Sequence, residues 1–138
     1  MTPSNSLDQY IDQGSWTPII AGSTAAGVGT YTVQAGTYTR IGNLVFLSGT
    51  VTWTAHTGTG NMLIQTLPFT SRNLANYHYD VTVNLSNIVL PAGTVQIMGE
   101  IQGSSTQIIL EGTRTNNTNL PVSMDNTGTA DISGFYLV

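Results

Sequence analysis

Residues 44–53 read Leu44-Val-Phe-Leu-Ser-Gly-Thr-Val-Thr-Trp53. In an extended chain successive side chains point to opposite faces, so Val45, Leu47, Gly49, Val51 and Trp53 share one face, and none of them is polar. The opposite face starts apolar at Leu44 and Phe46, then turns to Ser48, Thr50 and Thr52. The pattern predicts a β-strand covered on both sides at its start and on one side at its end.

The same period of two recurs on either side of this stretch. Val81, Val83 and Leu85 alternate with Thr82, Asn84 and Ser86, and Val95, Ile97 and Ile101 with Gln96, Glu100 and Gln102. Both read as half-buried strands. Gln107 to Glu111 is nearly continuously apolar, which suits a central strand. Ala130, Ile132, Gly134, Tyr136 and Val138 alternate with Asp131, Ser133, Phe135 and Leu137, so a strand runs to the last residue. Clusters of Gly, Asn, Ser and Pro at 22–29, 56–61, 67–73, 91–94, 103–106 and 115–119 break these runs. Eight or nine short strands, with no long helical period and no strict internal repeat, predict an all-β, antiparallel β-sandwich or jelly roll. Gly36 and Gly42 bracket a short strand, and Gly42-Asn43 is a tight turn into the 44–53 strand.

Residues 1–14 differ from the rest. They are polar except for Leu7, Tyr10 and Ile11, whose spacing fits a turn or two of amphipathic helix capped by Ser6, or else a fraying terminus. The division predicted is an N-terminal arm, 1–14, and a jelly-roll domain, 15–138.

The chain of 138 residues is the size of one domain. It has no cysteine, so neither a disulfide framework nor a thiolate metal site holds it together. Charged residues make up 7%, against about 25% in ordinary soluble domains, and lysine is absent. A weakly charged surface rich in Thr, Ser and Asn suits a protein packed against copies of itself or other subunits. With Arg40, Arg72 and Arg114 as its only basic side chains beside seven acids, it is not expected to bind nucleic acid. No signal-like segment and no apolar run of about 20 residues is present, so a soluble protein made in the cytoplasm, with no membrane partner, is expected.

Catalytic chemistry is thinly represented. The imidazoles are His56, in a Gly/Thr-rich turn and read as a surface residue shaping a loop, and His78, in Tyr77-His-Tyr-Asp80. Absence of lysine excludes a P-loop or a Schiff base. Glu100 and Glu111 fall on consecutive strands, but Arg40 and Arg114 are available to pair with them. Asp125 to Asp131 lacks the spacing of a calcium loop and reads as a turn capped by its own Asp and Asn. The aromatic residues, Trp16, Tyr31, Tyr38, Trp53, Tyr77 and Tyr79 among them, are read as core or interface before a sugar-stacking platform. No enzyme activity, cofactor or metal is therefore expected.

Four blocks carry a resemblance. Gly14-Ser-Trp-Thr-Pro18, Gly36-Thr-Tyr-Thr-Arg-Ile-Gly-Asn43, Gly58-Thr-Gly60 and Leu67-Pro-Phe-Thr-Ser71, in that order, resemble a pattern in virion proteins of tailed bacteriophages, cyanophages included. The ending Asp131-Ile-Ser-Gly-Phe-Tyr-Leu-Val138 is similar to the closing strand of the same group. The resemblance implies a trimeric jelly roll like tumour-necrosis-factor and adenoviral knob domains, which binds rather than catalyses. An arm of fourteen residues in place of a fibre shaft favours a homotrimeric decoration or cement protein on the outer surface of the head. Its partner is then the major capsid protein or other virion subunits, gripped through Leu7, Tyr10 and Ile11. The alternative is the receptor-binding tip of a tail or head fibre that binds host surface glycan. Tyr77, Tyr79 and Phe135 are the expected trimer contacts.

Overall fold

A computed structural model of the protein describes residues 11–115 and 117–138, with the backbone alone of Ile11. Ten strands follow in order: β1 Ile11–Trp16, β2 Ile19–Gly22, β3 Gly29–Ile41, β4 Leu44–His56, β5 Met62–Gln65, β6 Tyr79–Ser86, β7 Thr94–Ile101, β8 Gln107–Arg114, β9 Leu120–Pro121 and β10 Gly128–Leu137. Their neighbours run β1-β3-β4-β10-β6-β7-β8-β5-β2, with β9 beside β8, and all the pairings are antiparallel. We call β1, β3, β4, β10 and β6 sheet A, and β7, β8, β5, β2 and β9 sheet B. The two ends of the path, β1 and β2, are successive pieces of one segment divided at Thr17-Pro18. Proline cannot extend a ladder, so the segment leaves sheet A there and enters sheet B. The result is an antiparallel β-sandwich of the jelly-roll kind.

The core lies between the sheets. The inward positions of β4 and β10, Val45, Leu47, Val51, Trp53, Ala130, Ile132 and Tyr136, are buried against Ile20, Met62, Ile64, Ile101, Ile108 and Leu110. β8 runs between β7 and β5 with Ile108 and Leu110 sealed, the central place predicted for it. At one end Leu67-Pro68-Phe69 plugs the sandwich. The Tyr136 hydroxyl donates to the Phe69 carbonyl at 2.9 Å and accepts from its N–H at 3.2 Å. The Phe69 ring meets Tyr38 edge-on at 5.2 Å and lies 4.9 Å below the Arg40 guanidinium.

Two of the sequence blocks turn out to be cross-strand partners. In the β1–β3 ladder Gly14 faces Tyr38 and Gly36 faces Trp16. Each aromatic ring lies over the other strand's glycine: a Cβ on Gly36 would sit 2.3 Å from Trp16 Nε1, and one on Gly14 would sit 2.8 Å from the Tyr38 ring. The G-x-W and G-x-Y spacings are thus one reciprocal lock read in opposite directions. Gly42-Asn43 closes the β3–β4 hairpin, with Ile41 facing Leu44 and Gly42 at φ 59. A positive φ at the first turn residue matches a type II′ turn, where glycine carries no Cβ penalty.

Several expectations need correction. The strand that ends at Ile41 starts at Gly29, not Gly36. The segment Ile11–Gly14, set apart with the arm, lies in strand β1, so a helical turn does not run through Ile11; Leu7 and Tyr10 lie outside the described residues. His56 is buried, not on the surface: Gly58 N–H donates to its Nδ1 at 2.9 Å, which leaves the proton on Nε2 to donate to the Ile20 carbonyl at 2.9 Å. It does shape the loop, from within. Among the described residues the outer face of β4's start is only partly covered: Leu44 is half-buried and Phe46 is 43% exposed.

Candidate subunit-contact face

The outer face of sheet A is built by residues that alternate with the core positions. Because β3, β4 and β10 are in register over most of their length, these residues form rows across the sheet. Nearest the Gly42-Asn43 turn the row is Ile41, Leu44, Leu137; the next is Thr39, Phe46, Phe135. Beyond these the rows become Thr37, Ser48, Ser133, Thr82 and then Ala35, Thr50, Asp131, Asn84. One end of the face is therefore apolar and the remainder hydroxylated.

Phe46 and Phe135 are paired residues on adjacent strands, with ring centroids 6.1 Å apart at 51°. They are 43% and 55% exposed. No titratable side chain belongs to the first three rows, and the carboxylate of the fourth, Asp131, accepts from the Thr50 hydroxyl at 2.8 Å. An apolar pair exposed to water, framed by Thr and Ser and free of charge, has the composition of an interface centre.

Of the expected contacts, Phe135 belongs to this face. Tyr77 is 52% exposed and rests edge-on against Tyr79 at 5.3 Å, at the end of β6. Tyr79 is not on the surface: it is buried in the core, its hydroxyl 3.3 Å from the Arg72 carbonyl. Sequence reasoning missed Phe46. Its outward parity was visible, but its partnership with Phe135 depends on β4 pairing with β10, a contact between distant segments that no local signal announces.

The side chains weighed for chemistry have structural partners. Glu100 holds His78 Nδ1 at 3.1 Å and accepts from Gln102 at 3.0 Å, so the expected pairing with Arg40 or Arg114 does not form there. Arg40 donates instead to the Gly42 carbonyl at 2.8 Å. Glu111 faces Met98, two places along the ladder from the Glu100–Ile109 pair. Asp125 accepts from Asn126 N–H at 2.8 Å and Val89 N–H at 3.0 Å, tying two loops together. Burial raises the phenol pKa of Tyr136 to about 12, against the opposing pull of its Phe69 bonds and Arg40, and raises that of Tyr31, whose hydroxyl contacts the Ile20 backbone.

The fold and face together define a jelly-roll sandwich whose sheet A has an outer face that is apolar and uncharged at one end. No protein-family model and no curated protein matches the chain. Among solved structures it is similar to the crystal structure of the Dettilon tailspike protein (gp208), with a TM-score of 0.70 and 20% identity over 91% of this chain. That likeness is one of fold, and the chain spans 23% of the tailspike's length.

Proposed function

We propose that this chain is a binding domain of a bacteriophage virion surface protein, of tail-fibre or tailspike type, and that it works as a homotrimer. The observation that carries the reading is the tailspike likeness over 91% of the chain, which falls on the same class of protein as the sequence blocks. The Phe46–Phe135 face supports self-association, since an exposed aromatic pair is better covered in an oligomer than left in water. The engagement of His56, Glu100, Asp125 and Asp131 in local hydrogen bonds supports binding over catalysis. Host surface glycan is the target class proposed.

Labelling intact particles with an antibody against this domain tests the reading. Label on the tail or its fibres supports it. Label spread over the head overturns it in favour of capsid decoration, with Leu7 and Tyr10 as the anchors to examine next. Sedimentation of the purified chain should report three copies per particle, and a monomer at micromolar concentration would remove the trimer.

A further inference from the structure

Phe46 and Phe135 stay open to water among the described residues, and the chain enters sheet A beside them. Ile11 opens β1, the edge strand. It is paired with Ile41, which is paired with Leu44, so the entry point lies in the row next to the two rings. With strands about 4.8 Å apart and residues about 3.4 Å apart along them, Phe46 lies roughly 12 Å and Phe135 roughly 16 Å from the Ile11 backbone. Residues 1–10 precede that point, outside the described residues, and carry Leu7 and Tyr10. The four residues back to Leu7 span roughly 14 Å when extended, enough to bring it between the rings, whereas Tyr10 reaches no further than Ile41.

We propose that residues 1–10 fold back across the outer face of sheet A as a strap, with Leu7 seated on the Phe46–Phe135 pair and Tyr10 on Ile41. Three observations favour this segment of the same chain as the occupant. Its apolar side chains fall at the right distances from the edge strand they adjoin. The rings border a surface cavity of about 400 Å³ whose lining includes Thr37, Thr39 and Ser48 and no charged side chain. An aliphatic side chain enters it without stranding a charge, and the hydroxyls are at hand for the strap's backbone. Finally, two half-exposed rings are far less than the ~800 Å² that each partner gives to a stable interface between separate chains. A tethered segment needs less, because its docking is intramolecular and the short connection to Ile11 keeps its effective concentration high. The strap goes beyond the trimer reading and meets it at this face: a neighbouring copy that packs on the rings must displace Leu7, so the strap sets the concentration at which copies associate through them.

Hydroxyl-radical footprinting of the full chain over a dilution series, read by mass spectrometry at Phe46 and Phe135, tests the strap in the wild type, Leu7→Asp and Leu7→Met. Both rings should be protected in the wild-type chain at the lowest concentration, oxidised severalfold faster in Leu7→Asp, and protected again in Leu7→Met, which keeps the apolar bulk. Trp53, buried in the core, should react equally slowly in all three and so reports that each is folded. Equal oxidation of the rings in wild type and Leu7→Asp at the lowest concentration overturns the strap. So does protection that disappears on dilution, which puts a neighbouring copy or its residues 1–10 on the rings. Sedimentation of the same samples separates the two readings. A wild-type chain monomeric at micromolar concentration removes the trimer whatever the rings show, and a trimer whose rings are indifferent to Leu7 removes the strap alone.

Discussion

Replacing Gly36 with Ala tests whether the β1–β3 lock holds the two sheets' shared segment in place. The new Cβ would lie 2.3 Å from Trp16 Nε1 and 2.5 Å from Cδ1, where carbon and nitrogen need about 3.5 Å, so the indole must withdraw by about 1 Å. Trp16 is 5% exposed and its Nε1–H donates to the Ser48 carbonyl at 3.1 Å, so withdrawal breaks that bond and disturbs a packed core. Forcing a methyl group into a filled site costs ~1–3 kcal/mol and the lost hydrogen bond ~1 kcal/mol. Removing a glycine's freedom from the unfolded chain returns ~0.4–1 kcal/mol. The net destabilisation is ~1–3 kcal/mol, a fall in Tm of roughly 3–10 °C for a chain of this length. Urea unfolding followed by tryptophan fluorescence, at one fixed chain concentration because association shifts apparent stability, measures it. In a Trp16→Phe background the smaller ring should absorb the methyl group and the cost should fall by ~1 kcal/mol or more. An unchanged midpoint for Gly36→Ala, or the same loss with and without Trp16, would refute the reciprocal lock.

Other consequences follow from single side chains. With the Tyr136 pKa raised to about 12 from an ordinary value near 10, the folded state favours the neutral phenol; its contribution is full below pH 10 and lost as pH rises toward 12. The urea midpoint should therefore decline above pH 10, less steeply in Tyr136→Phe, and a midpoint flat to pH 11.5 would contradict the buried hydroxyl. His56→Phe leaves the Gly58 N–H without its partner and removes one donor from the Ile20 carbonyl, which keeps the Tyr31 hydroxyl, and should cost ~1–3 kcal/mol, with fast amide exchange at Gly58. Incubation with bacterial surface polysaccharide should give retention without released oligosaccharide; release that stops in Glu100→Gln or Glu111→Gln, with the fold intact, would make the domain an enzyme.

The sandwich could be read from residues because the dominant force acts locally along each strand. Burying alternate side chains imposes period two, and Val45 to Trp53, Val81 to Leu85 and Ala130 to Tyr136 display it without help from the rest of the chain. Breaks were equally plain at His56–Asn61 and Gly103–Thr106, where glycine and polar residues gather. β3 was harder. Tyr31, Val33, Ala35 and Thr37 alternate weakly, and a bulge between Thr30 and Val33 disturbs the parity, so only its last turnward portion looked like a strand. β1 was harder still, since Asp12, Gln13 and Ser15 are exposed and polar and the strand exists because of Trp16 and its ladder with β3.

The exposed aromatic pair lies at the limit of such reading, for a physical reason. A phenylalanine on a strand carries the same local signal whether it faces a core or a neighbouring chain; what separates Phe46 from Leu47 is parity, and what separates Phe46 from a lone exposed side chain is that Phe135 stands beside it. The apparent coverage of β4 on both sides at its start is instructive here. Read from composition, Leu44 and Phe46 demand a second layer; among the described residues Phe46 stays 43% exposed, so part of that demand is left unmet within them. An exposed aromatic pair is costly for a monomer, and on the proposed reading this cost ties the patterning of the strands to self-association.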